Sequence, residues 1–168
     1  MLPDSPNWVV MGQVASKAEA AALDRFRDLL PEDGITHAWA NLTFIDDNGR
    51  TGEIDVLLLT PAGFFLVELK GWHGTIRGNA QRWTLTNKAT RNVENPLLGA
   101  DRKAKRLSSM LAGLAPNPQA RAALPWLTPI VVLHGEHSQV DLDDARARSG
   151  IYKLNGFHVG GKKVGEWH

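Results

Sequence analysis

The sequence predicts a mixed α/β domain in which a central, mixed β-sheet is flanked by helices. Three observations lead to this fold class. Apolar residues recur at helical spacing in residues 16–31 and 97–114, and an apolar hairpin occupies residues 52–74. Residues 128–135, TPIVVLHG, form a continuous apolar run that is typical of a strand covered on both faces. Helices and strands that alternate in this way pack as layers around one core.

The composition is that of one ordinary globular domain. The chain has 168 residues, of which 43% are hydrophobic and 22% charged. A net charge of +1 gives no indication of a nucleic-acid partner, and the lack of cysteine excludes disulfides, thiolate zinc sites and cysteine nucleophiles. No apolar run approaches the roughly 20 residues of a membrane span, and no signal peptide is evident at the start. We therefore expect a cytoplasmic protein with no membrane partner.

The first half of the chain contains a helix followed by three strands. Ser16 is a good N-cap for the first helix, which Pro31 ends. Residues 35–45 alternate as a strand does, and DDNG at residues 46–49 is a tight-turn signal. The hairpin that follows is expected to turn at Pro61–Gly63.

The second half contains two short strands, a helix and a buried strand. Residues 74–78 and 82–86 are the expected strands, and the helix at 97–114 has an apolar face. A proline-punctuated loop or short helix precedes the strand at 128–135. We place one folded domain at residues 1–150, and the glycine- and lysine-rich residues 151–168 are expected to be a linker or the start of a following domain.

Three charged residues interrupt the apolar hairpin: Asp55 on one strand, and Glu68 and Lys70 on the next. Residues two apart on a strand share a face, and pairing around the Pro61 turn allows Asp55 and Glu68 to lie side by side. Two carboxylates about 5 Å apart repel by about 3 kcal/mol at an effective dielectric constant of 20. A divalent cation reverses that sign, and oxygen ligands suit Mg²⁺ or Mn²⁺. Lys70 would then orient a water or offset charge on a phosphate.

The alternative is a cross-strand ion pair on a solvated face, which is the ordinary explanation of a Glu-x-Lys in a strand. The flanking runs LLL at residues 57–59 and FFLV at 64–67 favour strands covered on both faces, where unsupported charges are scarce.

GEIDVLLLTPAGFFLVELKGWHGTI at residues 52–76, followed by Trp83, by NPL at residues 95–97 and by a basic helix, resembles the nuclease-related domain (NERD) family. That family is grouped with the PD-(D/E)xK nuclease superfamily, and the resemblance runs from about Gly12 to about Leu133. It implies a restriction-endonuclease-like fold in which Asp55 and Glu68 bind Mg²⁺ and Lys70 assists hydrolysis of DNA. Such domains occur alone or at the front of bacterial helicases and kinases. This chain resembles in particular the N-terminal segment of a serine/threonine kinase associated with phage defence, so a downstream domain is an implied partner.

The resemblance implies a third acidic residue at the site, and the sequence departs from the family pattern at two positions. Glu19 matches a glutamate that relatives place near the metal, but Ser16-x-x-Glu19 is also a capping box, and both roles stay open. Gly99 stands where relatives often have glutamine, and Glu53 stands where glutamine is frequent.

The helix at 97–114 carries a basic cluster made of Arg102, Lys103, Lys105 and Arg106. These side chains form either a phosphate-contacting patch or a solvated helix face. Trp72 and Trp83 could stack on bases, although core or lid positions are the commoner roles.

Two functions follow. The first is a Mg²⁺- or Mn²⁺-dependent nuclease that uses Asp55, Glu68, Lys70 and Glu19. The second, motivated by Gly99, is a non-catalytic module that binds nucleic acid or a protein and regulates an attached enzyme. GFHVGGKK at residues 156–163 lacks the hydroxyl of a phosphate loop, and HGEH at 134–137 has the wrong spacing for a helical zinc motif.

Overall fold

The fold is seen in a computed structural model that describes residues 1–143 and 145–154. The strands within these ranges are β1 Trp8–Val10, β2 His37–Ile45, β3 Thr51–Thr60, β4 Gly63–Lys70, β5 Thr75–Gly78, β6 Arg82–Thr86, β7 Thr90–Glu94, β8 Leu127–Leu133, β9 Gln139–Leu142 and β10 Ile151–Lys153. The helices are α1 Lys17–Asp28, α2 Pro96–Leu114, α3 Pro118–Ala122 and α4 Ala145–Arg148. None of the helices in the described ranges is long and apolar enough to cross a membrane.

The strands form two sheets. The larger sheet has the order β1-β2-β3-β4-β8-β10 and is mixed, because the pairs β2–β3 and β3–β4 are antiparallel whereas β1–β2, β4–β8 and β8–β10 are parallel. The smaller sheet has the order β7-β6-β5-β9. The prediction of a mixed α/β domain with a mixed central sheet is confirmed.

The two faces of the larger sheet are covered by different elements. Helix α1 buries Leu23 and Phe26 against one face, together with Val67 of β4. Helix α2 buries Ala104 and Leu107 against the other face, and the smaller sheet packs beside it. β3 and β4 therefore lie in the middle of three layers, as their apolar runs predicted.

The ends of α1 and the hairpin turn follow from local sequence. The Ser16 side chain accepts a hydrogen bond from the N–H of Glu19 at 3.2 Å, and Glu19 Oε2 accepts one from the N–H of Ala15 at 2.9 Å. This is the reciprocal arrangement of a capping box. The β3–β4 connection is two residues long, because Thr60 pairs with Gly63. The resulting register carries through to the pair Val56–Val67.

The strands β2 and β3 change faces at Asn41 and Asp55. Residues of equal parity on a strand share a face, yet Ala40 packs on the α1 side and Leu42 on the α2 side. Val56 and Ile54 of β3 are divided in the same way. Asn41 has a left-handed backbone with φ of 53°, which asparagine tolerates better than most residues. Asp55 therefore sits at a twist in the sheet, where the ladder between β2 and β3 is interrupted.

The structure also contains elements that the sequence pattern did not predict. These are the short strands β1, β9 and β10, the polar strand β7 and the single-turn helix α4. The strands expected at 74–78 and 82–86 belong to the separate smaller sheet rather than to the central one. β10 pairs with β8, so the larger sheet continues past the expected domain boundary at residue 150. Residues 155–168, including the segment GFHVGGKK, lie outside the described residues.

Candidate metal and phosphodiester site

The hairpin register brings Asp55 and Glu68 to facing positions at the strand ends away from the turn. Val56 pairs with Val67, so Asp55 and Glu68 are the next residues along each strand. Asp55 Oδ2 accepts a hydrogen bond from the N–H of Leu69 at 2.6 Å. The carboxylate of Asp55 thus bridges the two strands where the backbone ladder stops.

Glu68 is held between two lysines. Its side chain is 6% exposed, and its two oxygens accept hydrogen bonds from Lys70 Nζ at 3.1 Å and from Lys103 Nζ at 2.5 Å. Lys70 comes from the same strand, whereas Lys103 comes from α2 across the sheet face. We call Asp55, Glu68, Lys70 and Lys103 the carboxylate–lysine cluster. Its two acids and two ammonium groups balance in charge.

The environment of Asp55 opposes its ionisation. Burial raises the pKa of the Asp55 carboxyl, and the neighbouring Glu68 carboxylate raises it further. The Leu69 N–H, Lys70 and Lys103 act in the opposite direction without cancelling the effect. Asp55 Oδ1 has no hydrogen-bond partner among the described residues. Since the structure leaves no fully buried side-chain oxygen unpartnered in its described part, Oδ1 reaches solvent.

Glu19 approaches the cluster from the other side of the sheet. It lines a cavity of about 220 Å³ together with Asn41, Glu53 and Asp55. Its Oε2 is engaged in the capping box, so the structural role that the sequence left open is present. The shared cavity keeps the metal-binding role open as well.

The donor chemistry of these residues fits a hard divalent cation, since it consists of carboxylate oxygens, one of which is free. The arrangement itself is incomplete. Among the described residues no three Asp, Glu, His or Cys side chains form a group that could hold a metal ion. Both oxygens of Glu68 are occupied by lysines, so a cation would compete with Lys70 and Lys103 for this ligand.

The four basic residues predicted to contact phosphates point to different partners. Arg102 pairs with Glu94 at 2.5 Å and Lys105 with Asp101 at 2.6 Å, and both remain exposed. Lys103 belongs to the carboxylate–lysine cluster. Arg106 is bound to Asp46 at 2.7 Å and to backbone carbonyls in the turn that joins β2 and β3. The helix does not present the four as one continuous patch, and their role as nucleic-acid contacts stays a prediction.

The remaining candidates are placed as follows. Trp83 is fully buried, whereas Trp72 is partly exposed and meets it edge-on at 6.0 Å between ring centroids. Gly99 lies in the first turn of α2, and a Cβ there would meet only Arg102 Nη2, at 3.9 Å. The fold therefore does not require glycine at this position. Sequence reasoning missed Lys103 as a partner of Glu68, because nothing local indicates which helix residue crosses β4.

A three-layer domain whose central hairpin gathers two carboxylates and two lysines has the architecture of a nuclease-like domain. The family model described as nuclease-related domain, NERD, matches residues 15–134. The chain belongs to the NERD family, which confirms the resemblance stated from the sequence.

The chain is also similar to a protein from Streptomyces coelicolor named probable kinase PglW. The two are 31% identical over 150 residues, which is 88% of this chain and 9% of that protein. The chain thus spans about a tenth of the length of this relative. No solved structure matches the chain.

Proposed function

We propose that the domain is a Mg²⁺- or Mn²⁺-dependent nuclease that hydrolyses phosphodiester bonds of DNA. The observation that carries the proposal is the convergence of Asp55, Glu68 and Lys70 at adjoining strand ends of a NERD-family domain. Asp55 and Glu68 are the proposed metal ligands, and Glu19 is the proposed third acidic ligand across the shared cavity.

The electrostatics of the site support a cation there. Burial and the neighbouring Glu68 raise the pKa of Asp55, so a cation bound beside this carboxyl would favour its ionised form. A bound divalent ion would supply a water of lowered pKa and would offset charge on the phosphate. Lys70, which is partly exposed beside Glu68, would orient that water or donate to the phosphate oxygens.

The test is cleavage of linear and plasmid DNA by the purified chain with Mg²⁺ or Mn²⁺. We expect cleavage that EDTA abolishes, loss of activity in Asp55→Ala, and a fall of at least about 100-fold in Lys70→Ala. Glu53→Gln is the matched control, because Glu53 is an exposed carboxylate two residues from Asp55 and lines the same cavity. Equal activity of wild type and both site variants would refute the assignment.

A second function is favoured by one specific observation. Both oxygens of Glu68 are already satisfied by lysines, and no three-residue metal group exists among the described side chains. This arrangement suits a domain that binds nucleic acid or a protein without cleaving it. It predicts salt-sensitive DNA binding that is the same in EDTA and in Mg²⁺, with no cleavage in either. Absence of DNA binding at low salt would leave only a protein partner.

The proposal extends to an attached kinase and to phage defence. The similar Streptomyces protein is named a probable kinase, and the matched region is a small part of it. Adding DNA to a polypeptide that carries this domain and a kinase should change the rate of autophosphorylation. Asp55→Ala should remove the change, and so should any variant that abolishes DNA binding. An autophosphorylation rate that DNA leaves unaltered would show that DNA binding to this domain does not regulate the kinase.

A further inference from the structure

A cleft beside the carboxylate–lysine cluster has no role in the site described above. Its volume is about 330 Å³, within the range of small-molecule and cofactor pockets. One wall is the segment that follows β4, and the other is the β6–β7 hairpin. The lining includes Trp72, His73, Lys88 and Arg91.

The lining has the chemistry of a nucleic-acid site. No acidic residue is among the described residues that line the cleft, whereas Lys88, Arg91 and His73 are basic. Lys88 and Arg91 are exposed and have no ion-pair partner in the part of the chain that the structure describes. The basic residues of α2 differ in this respect, since each of them is paired with an acid.

Trp72 supplies an aromatic surface to the same cleft. It packs on a buried cluster beneath the smaller sheet and meets Trp83 edge-on, yet it remains partly exposed. A partly exposed indole that the core holds in position is suited to stack on a base.

The walls are anchored by hydrogen bonds between loops. The N–H of His134 donates to the carbonyl of Lys70 at 3.0 Å, and the ring of His73 is bonded to the carbonyl of Glu136 at 2.8 Å. Gly135 packs so closely on the Trp72 backbone that a Cβ would lie 1.8 Å from its carbonyl oxygen. These contacts fix Trp72 relative to Lys70, and the two Cα atoms are at most about 7 Å apart because they are two residues apart.

We propose that this cleft binds a single-stranded segment of nucleic acid, with a base on Trp72 and phosphates on Lys88 and Arg91. The proposal deepens the proposed function, because it assigns the path of the strand next to Lys70. It rests on nucleic acid as the ligand but not on hydrolysis. The recognised chemistry, a base and a phosphodiester, is shared by DNA and RNA.

The test is binding of fluorescein-labelled dT12 and rU12 to the 168-residue chain, measured by anisotropy in EDTA over a range of KCl concentrations. The double variant Lys88→Ala/Arg91→Ala should reduce the slope of log K against log salt by about 1.4, since each phosphate contact to a single strand contributes about 0.7. Trp72→Leu, which keeps an apolar group on the core, should weaken binding at least about fivefold.

Arg82→Ala is the matched control, because Arg82 is an exposed cation of the same sheet outside the cleft. It should change the slope by less than the Lys88→Ala/Arg91→Ala variant does, and it should weaken binding by less than Trp72→Leu does. Circular dichroism is the check that each variant is folded. Binding of either oligonucleotide with these losses supports the proposal, and the tighter one identifies the sugar. Binding of neither, or equal losses in the cleft and control variants, overturns it.

Nucleic-acid binding in the cleft and hydrolysis are contradicted by different outcomes. If wild type binds through the cleft but cleaves nothing, hydrolysis fails and the cleft stands. If DNA is cleaved and the cleft variants bind and cleave as wild type does, the cleft assignment fails and hydrolysis stands.

Discussion

Two carboxylates near helix α2 differ in how well they are satisfied: Asp46, which Arg106 contacts, and Asp55, which lies beside the pair of Lys103 and Glu68. Asp46 accepts from Arg106 at 2.7 Å, from Arg50 Nε, and from the N–H groups of Asn48 and Arg50. These bonds, above all the one from the Arg50 N–H, lower the pKa of Asp46 to about 2. At the carboxylate–lysine cluster the pKa of Asp55 is instead raised. The fold thus satisfies Asp46 fully, whereas it leaves Asp55 in surroundings that oppose its charge, as is common for acids at functional sites.

The largest effect should come from removing the structural contact. Arg106→Ala leaves buried Asp46 without its closest partner and also removes bonds to the carbonyls of Arg50 and Thr51 and a cation–π contact with Phe44. We expect the free energy of unfolding to fall by about 2–4 kcal/mol, measured by urea denaturation.

Lys105→Ala is the control for that loss. Its exposed pair with Asp101 on the helix surface should contribute less than about 0.5 kcal/mol. If the free energy of unfolding falls by similar amounts in the two variants, the structural role of Arg106 is contradicted. Arg106 would then remain a predicted nucleic-acid contact only.

The next effect concerns the contact between Lys103 and Glu68 in the carboxylate–lysine cluster. In Lys103→Met an apolar chain replaces the ammonium that occupies Glu68, so a divalent cation no longer competes with it. Mn²⁺ affinity, measured by isothermal titration calorimetry, should rise about tenfold, which corresponds to about 1.4 kcal/mol. Lys105→Met should leave it unchanged. An unaltered or lower affinity in Lys103→Met would show that Glu68 is not a ligand.

A smaller effect is expected from neutralising Asp55. Its folded-state pKa lies above the ordinary 3.8, so the folded state binds this proton more tightly than the unfolded state. Stability from this group therefore falls as pH rises from 3.8 through the raised pKa. Asp55→Asn should raise the free energy of unfolding at pH 7, by about 1 kcal/mol or less, while abolishing cleavage. A destabilised Asn variant would show that Asp55 is a structural acid.

The last effect is confined to acid and has the opposite sign. Because the pKa of Asp46 is lowered to about 2, its contribution is present above 3.8 and is lost as pH falls towards 2. Asp46→Asn should flatten the wild-type loss of stability in that window, followed by urea denaturation at pH 2 to 5. If Asp46→Asn loses stability in acid as much as the wild type does, protonation of other carboxyls causes that loss.

Local patterns predicted the elements that define the candidate site. The turn predicted at Pro61–Gly63 already allows Asp55 and Glu68 to lie side by side, whereas the two-residue connection after Thr60 and the register that it sets are seen only in the structure. Ser16 and Glu19 likewise identify the start of α1, because a capping box is a contact between near neighbours.

The rest depends on contacts between distant segments. Whether a basic residue of α2 meets Glu68, Asp46 or solvent is decided by how the helix crosses the sheet, and the pattern of residues 102–106 does not encode this. β10 has three residues and gains its strand conformation only by pairing with β8. The change of faces at Asn41 and Asp55 has no periodic signal either, since it appears in the sequence as a defect in alternation.

The most direct test of the site is a crystal structure of the chain soaked in Mn²⁺, with the ion located by its anomalous scattering. We expect one ion about 2.1 Å from oxygens of both Asp55 and Glu68, with Lys103 Nζ withdrawn from Glu68. A structure at saturating Mn²⁺ in which Glu68 still bridges Lys70 and Lys103, with no anomalous peak beside Asp55, would contradict a metal-dependent site.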